Sequence, residues 1–249
     1  AFQVSVWLAP DAFLVAGCAI ALLGLYRGYT ATSSRGKALW YTLMHIGALI
    51  GFMAKSGPGW IVPGLALLCL VAWERRWREL VRWQLWVGLP LQLLLIGAWV
   101  QAVWKLPDGP GALTALFWNN DVGRFVDLHA AGPLDYASGH PNWPGKYFVS
   151  LPYHLFPWSA IVLAALIRAW GAVRSGAVNP TPWRFAISAS LPFVCLLSIA
   201  ATARGIYIAP ALLGFAVAAG LWIDSLASMT TRVDGLAVRS TQYASGFVV

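Results

Sequence analysis

An all-α, polytopic bundle of transmembrane helices is the fold class this sequence predicts, and three observations carry it. The 249 residues are 59% hydrophobic and 10% charged, with a mean hydropathy of +0.67. A soluble domain carries about 25% charged residues and needs a polar shell that this composition does not supply. The apolar residues gather into about seven runs, near 12–26, 38–54, 58–73, 84–104, 148–167, 185–202 and 206–223, each close to the ~20 residues that cross a bilayer as a helix. The basic residues lie in the gaps between these runs, so the formal charge of +8 reads as membrane topology rather than as a nucleic-acid footprint.

Sorting the gaps gives the orientation. The loops 27–37, 74–83, 168–184 and 224–249 hold most of the 17 basic residues, with Arg75, Arg76, Arg78 and Arg82 in one of them. The other set, 1–11, 55–57, 105–147 and 203–205, holds Lys55, Lys105, Arg124, Lys146 and Arg204 with Asp11, Asp108, Asp121, Asp127 and Asp135. Basic loops stay on the cytoplasmic side. The first set is therefore expected inside and the second outside, with the N-terminus out and the C-terminus in. The shorter runs, 12–26 and 58–73, are lengthened by flanking Trp, Tyr and Arg that reach the interface. The whole chain, 1–249, reads as one transmembrane domain.

The segment 105–147 is the one sizeable outer loop. Pro107-Asp108-Gly109-Pro110-Gly111 and Gly139-His140-Pro141-Asn142-Trp143-Pro144-Gly145 are turn signals. Between them, Leu113 to Leu128 has apolar residues at helical spacing and predicts a short amphipathic helix at the membrane surface. Cys18, Cys69 and Cys195 each lie in an apolar run with no ligand spacing and read as packed thiols. The chain opens on Ala1 and ends on Val248-Val249, and is expected to be an internal or C-terminal fragment of a longer protein.

Four groups on the outer side could carry chemistry. Asp11 opens the first span, where a carboxylate caps free helix N–H groups and is equally placed to hold a metal or a sugar hydroxyl. Lys55 sits in the turn Ala54-Lys55-Ser56-Gly57-Pro58; Gly and Pro make the turn, while the lysine is either an interface anchor or a cation for a phosphate. Arg124 follows Asn119-Asn120-Asp121-Val122-Gly123, and a guanidinium suits bidentate phosphate binding, although such a run is commonly a solvated face. Arg204 lies in the turn before the last span, where a lone arginine is commonly an anchor. Three cations on one membrane face favour a phosphate-bearing ligand more than any one does. The sequence holds no GxSxG, HExxH, GxxxxGK[ST] or GxGxxG motif. Spans nearly free of charge argue against ion-coupled transport, and His45, inside a span, reads as a satisfied packing residue.

Taken in order, these segments resemble a family. Pro10-Asp11-Ala12 opens a span, Lys55-Ser56-Gly57-Pro58 forms an outer turn, and Gly123-Arg124-Phe125 follows in the large loop. His140 then precedes Trp143, Tyr147 and Pro157-Trp158, and Tyr207 precedes Pro210 in the last span. This order, from Asp11 to about Leu221, resembles the membrane glycosyltransferases that use polyprenyl-phosphate sugars, the ArnT-like and protein O-mannosyltransferase-like group with the C-type fold. Ser56 stands between the Lys and the Gly of the family's turn.

The resemblance implies transfer of a sugar, hexosyl or pentosyl, from a polyprenyl-phosphate donor to an acceptor hydroxyl. The acceptor would be a lipid A-like glycolipid, a protein or another glycan, at the outer face of a bacterial inner membrane. It implies donor-phosphate contacts from Lys55, Arg124 and Arg204. Sugar or acceptor contacts would come from His140, Trp143, Tyr147 and Tyr207. Asp11 would be a supporting acid, with a divalent metal as one role for it. The family's main general base lies in a first outer loop to which nothing in this chain corresponds, so the fragment alone is expected to be inactive. The rival reading is a non-enzymatic protein that binds or transports a lipid-phosphate sugar with the same cations and no base.

Overall fold

The computed structural model describes residues 10–123, 125, 142–174, 179–202, 204–227 and 231–246. The described residues are predominantly helical. Helix α1 (Pro10–Thr30) is followed by α2 (Ser34–Lys55) and α3 (Pro58–Glu74). A 3-10 turn (Trp77–Val81) and a short helix α4 (Trp83–Trp86) lead into α5 (Leu89–Trp104). The large loop contains α6 (Gly109–Leu113) and a π-helical stretch (Thr114–Gly123). After it come α7 (Lys146–Leu155), α8 (Ser159–Arg174), α9 (Thr181–Ser188) and α10 (Leu191–Ile199). A 3-10 turn (Gly205–Ile208) opens α11 (Ala209–Leu226), and α12 (Arg232–Gly246) closes the chain.

Among the described residues, five segments are long and apolar enough to cross a membrane: Pro10–Thr30, Ser34–Lys55, Trp83–Trp104, Thr181–Ile199 and Gly205–Leu226. Helix α3 is equally apolar but has 17 residues, about 25 Å at 1.5 Å per residue, short of a ~30 Å core. The segment expected as one span over 148–167 is two helices, α7 and α8, bent by 117°. Pro157 has no N–H to continue the helical ladder and restricts Phe156 before it, so α7 ends at Leu155. The outer-loop helix is wound as a π-helix over Thr114–Gly123; Leu113 and Ala115 are buried, and Asp121 bonds the Ser56 hydroxyl.

The packing has the inverted character of a membrane bundle. On α5 the leucines 91, 93, 94 and 95 are exposed, whereas Gln92 is buried. Lipid tails are as apolar as leucine, so helices there associate by close packing and interhelical hydrogen bonds. Gln92 makes such a bond: its Oε1 lies 2.9 Å from His45 Nδ1, and His45 Nε2 lies 2.8 Å from the Leu85 carbonyl.

Close packing is most evident between α1 and α2. A Cβ on Gly47 would lie 2.4 Å from the Ala21 backbone nitrogen, and one on Gly17 would lie 2.5 Å from that of Gly51. Only the missing side chains let these backbones touch. Gly47→Val is expected to destabilise the protein by about 1–3 kcal/mol through overpacking. Gly97→Ala, whose Cβ meets nothing within 4 Å, serves as the neutral control. Unfolding in mixed detergent micelles checks the pair, and equal stability of the two variants would remove the tight crossing from the account.

At the basic end of the bundle two buried acids tie the loops down. Glu79, 2% exposed, accepts from Lys37 Nζ at 2.7 Å and from the Tyr41 hydroxyl at 2.8 Å, with Arg82 Nε 3.0 Å away. Glu74 accepts from the hydroxyls of Tyr29 at 2.9 Å and Thr181 at 2.6 Å. These contacts join α1, α2, α3 and α9. Helix α12 is held by Asp234, which accepts from the Trp222 indole at 2.7 Å and pairs with Arg168. Burial pushes the Asp234 carboxyl up, and hydrogen bonds from Thr231 and Trp222, with the Arg168 guanidinium, outweigh it and hold it below the usual carboxylate range.

Candidate active site

The opposite end of the bundle gathers the candidate residues. Asp11 is in the first turn of α1 and Lys55 is the last residue of α2. The α1–α2 pairing brings these ends together, and Lys55 Nζ donates to Asp11 Oδ1 in a direct ion pair. The pair is largely withdrawn from solvent, with side-chain exposures of 26% for Lys55 and 10% for Asp11. The ammonium also stands 4.3 Å from the centroid of the Tyr207 ring, a cation–π contact that strengthens as water is excluded. Sequence spacing showed each of the three at a span end; their meeting is a tertiary result.

The turn after Lys55 is unusual. Ser56 has φ +45°, a left-handed conformation that a residue with a Cβ rarely adopts, and it is buried. Its hydroxyl donates to Asp121 Oδ1 at 2.9 Å, and the Gly57 N–H donates to Asp121 Oδ2 at 3.2 Å. One carboxylate from the large loop thus braces the turn from outside. It also supplies an anion at the start of α3, where no side chain of the turn caps the helix.

These residues line one cavity of about 330 Å³. Its polar lining is Asp11, Lys55, Ser56, Asp121, Thr202 and Tyr207. The remainder is apolar, with Leu14, Ile61, Phe193 and Leu196 among the walls. Charged groups in an otherwise apolar cavity suit an amphiphile with an anionic head.

The other sequence candidates fall elsewhere. Tyr147 is fully buried and its hydroxyl donates to the Arg204 carbonyl at 2.7 Å; it holds the turn before α11 and has no ring face left for a sugar. The Arg204 side chain is exposed and does not line the cavity, and Trp143, 53% exposed, does not line it either. Arg124, His140 and the side chains of Asn119 and Asn120 lie outside the described residues. Among the described residues no three His, Cys, Asp or Glu groups gather, and the Asp11 and Asp121 carboxylates contact Lys55 and the Ser56 turn. Ser56, Asp121 and Thr202 were missing from the sequence-derived site. Asp121 stood in a quoted run, but nothing in the run distinguishes it from its polar neighbours.

No family model matches the chain. The chain is 28% identical over 227 residues to the undecaprenyl phosphate-alpha-4-amino-4-deoxy-L-arabinose arabinosyl transferase of Pseudomonas paraeruginosa, covering 88% of this chain and 37% of that protein. The enzymes of the same name from Edwardsiella ictaluri and, as number 2 of its two, from Pseudomonas fluorescens are 28% and 27% identical, over 87% and 88% of the chain. The crystal structure of ArnT from Cupriavidus metallidurans, bound to undecaprenyl phosphate, superposes with a TM-score of 0.72 at 19% identity. The match covers 92% of this chain and 38% of that one. The chain is similar to these transferases. It shares the ArnT membrane fold and spans somewhat over a third of the length of these relatives.

Proposed function

We propose that the protein of which this ArnT-like chain is part transfers a sugar from a polyprenyl-phosphate donor to an acceptor hydroxyl, glycolipid or protein. The reaction would take place at the extracytoplasmic face of a bacterial inner membrane. The observation that carries this reading is the Lys55–Asp11–Tyr207 arrangement in the lining of a largely apolar cavity, in a chain similar to arabinosyl transferases named for an undecaprenyl-phosphate donor. In the reaction the acceptor oxygen bonds to the anomeric carbon while the bond from that carbon to the phosphate oxygen breaks. The acceptor proton passes to a base, and the lipid phosphate leaves with the electron pair. A fixed cation in a partly dehydrated site stabilises that developing charge.

Lys55 is proposed for this role. An ammonium has three donors; one is directed to Asp11, and the geometry leaves the group in the cavity lining. Asp11 orients the ammonium, and the Tyr207 ring packs against it. Arg124 remains a proposed second phosphate contact, and His140 a proposed sugar contact. Arg204 and Trp143, which lie off the cavity lining, are assigned no contact. The general base is proposed to come from the remainder of the protein.

The test is a binding comparison on the full protein in nanodiscs. Undecaprenyl phosphate is expected to quench tryptophan fluorescence saturably, and undecaprenol, the same tail without the phosphate, to bind at least about tenfold more weakly, because a charge-assisted contact is worth roughly 1.5–3 kcal/mol. Equal affinities would rule out the phosphate as the recognised group.

A further inference from the structure

We propose that Asp121 is a positioning residue for Lys55, acting through the Ser56–Gly57 backbone. This rests on reading the cavity as a lipid-phosphate site, and it adds a component that the resemblance did not supply. Three observations support it. First, Asp121 reaches across 65 and 64 residues of sequence to bond the Ser56 hydroxyl and the Gly57 amide, the two groups that follow the lysine. Second, Ser56 is held at φ +45°. A non-glycine residue stays in such a conformation only where its surroundings over-determine it. The Asp121 carboxylate is the bridging contact that fixes both halves of this turn.

Third, the backbone around Asp121 is wound to deliver it. Residues 114–123 are π-helical, a rare winding found chiefly at functional sites. In an α-helix, residues five apart point roughly 140° from one another. Bonding from i to i+5 brings them to neighbouring positions instead. Leu116 and Asp121, five apart, both line the cavity, while Phe117 stacks on Phe52 with ring centroids 5.9 Å apart. The π winding thus lets the loop dock by its aromatic residue and present its carboxylate to the turn together.

The consequence is a fixed direction for the lysine. Without Asp121 the Ser56 backbone relaxes toward an ordinary conformation, the end of α2 rotates, and the ammonium leaves the cavity lining. Asp121 itself need not touch the donor. A misplacement of about 1 Å in a binding constellation costs on the order of a hundredfold, so the effect is expected to be large for a residue with no substrate contact.

The experiment compares Asp121→Ala, Asp121→Asn, Ser56→Ala and the Asp121→Ala/Ser56→Ala double variant in the full protein. One measurement is the rate at which a small amine-reactive reagent labels Lys55, read by mass spectrometry without any ligand. The other is the affinity for undecaprenyl phosphate. Asp121→Ala is expected to raise Lys55 labelling several-fold and to weaken the lipid by roughly tenfold to a hundredfold. Asp121→Asn keeps one acceptor and is expected to fall between. The double variant is expected to match Asp121→Ala alone, since the residues act through one contact. Should Asp121→Ala fail to fold, Asp121→Asn and Ser56→Ala give the same labelling test. Unchanged labelling of Lys55 in every variant overturns the proposal. Absence of undecaprenyl phosphate binding by the unaltered protein would instead overturn the functional reading, and the labelling result would still decide the role of Asp121.

Discussion

Replacing Lys55 with methionine in the full protein is expected to lower sugar transfer by about 10²–10³-fold, the loss typical of removing one fixed donor from a developing oxyanion. The physical reason is positional. The ammonium is held by Asp11 and by the Tyr207 ring in the cavity lining, so it needs no reorganisation when the phosphate departs. The single change also strands the Asp11 carboxylate, whose side chain is 10% exposed, and some activity would be lost through instability alone. The Lys55→Met/Asp11→Asn double variant separates the two effects. It is expected to recover membrane insertion and thermal stability while transfer stays low. Transfer rates on reconstituted protein, beside unfolding curves for each variant, make the comparison. Near-normal turnover in the double variant would remove the lysine from the proposed chemistry.

Glu79→Ala is expected to destabilise the protein by about 3–5 kcal/mol, the usual cost of leaving one partner of a buried ion pair alone. Lys37 would keep its bonds to the Gly28 and Tyr29 carbonyls at 3.0 and 3.3 Å, but its charge, with side-chain exposure of 7%, would have no counter-ion at bonding distance. The hydroxyl of Tyr41 would lose its acceptor as well. Glu79→Leu combined with Lys37→Met removes both charges and is expected to regain most of the loss. Denaturant unfolding in detergent measures this, and the affinity for undecaprenyl phosphate is expected to stay unchanged in the double variant. A neutral Glu79→Ala would mean that the network at the basic end does not support the bundle.

Both predictions rest on pairings that the linear sequence conceals. Glu74 and Glu79 sit in a loop whose four arginines signal orientation, and acids contribute little to that signal. By position they belong to the basic loop 74–83, whereas in the fold they are the centres on which Lys37, Tyr29, Tyr41 and Thr181 converge. Tyr147, a sugar or acceptor contact by the resemblance, is buried with its hydroxyl on the Arg204 carbonyl. The span near 148–167 failed as a single helix because hydropathy averages over Pro157, while the backbone cannot.

By itself the sequence determined the membrane-embedded helical class and placed Asp11, Lys55 and Tyr207 at the ends of apolar runs. Hydrophobic run length and charge placement are one-dimensional properties, set by bilayer thickness and by the cost of moving charge across it. The order of its outer segments also pointed to the ArnT-like relatives that the chain was found to resemble. What only the tertiary structure decided is which groups meet. The glycine-lined contact of α1 with α2 joins Asp11 to Lys55, and the π winding of the large loop sets Asp121 against Ser56. Contacts between residues 44 and 65 positions apart depend on helix rotation and crossing, and a hydropathy pattern this uniform around each helix leaves that rotation open.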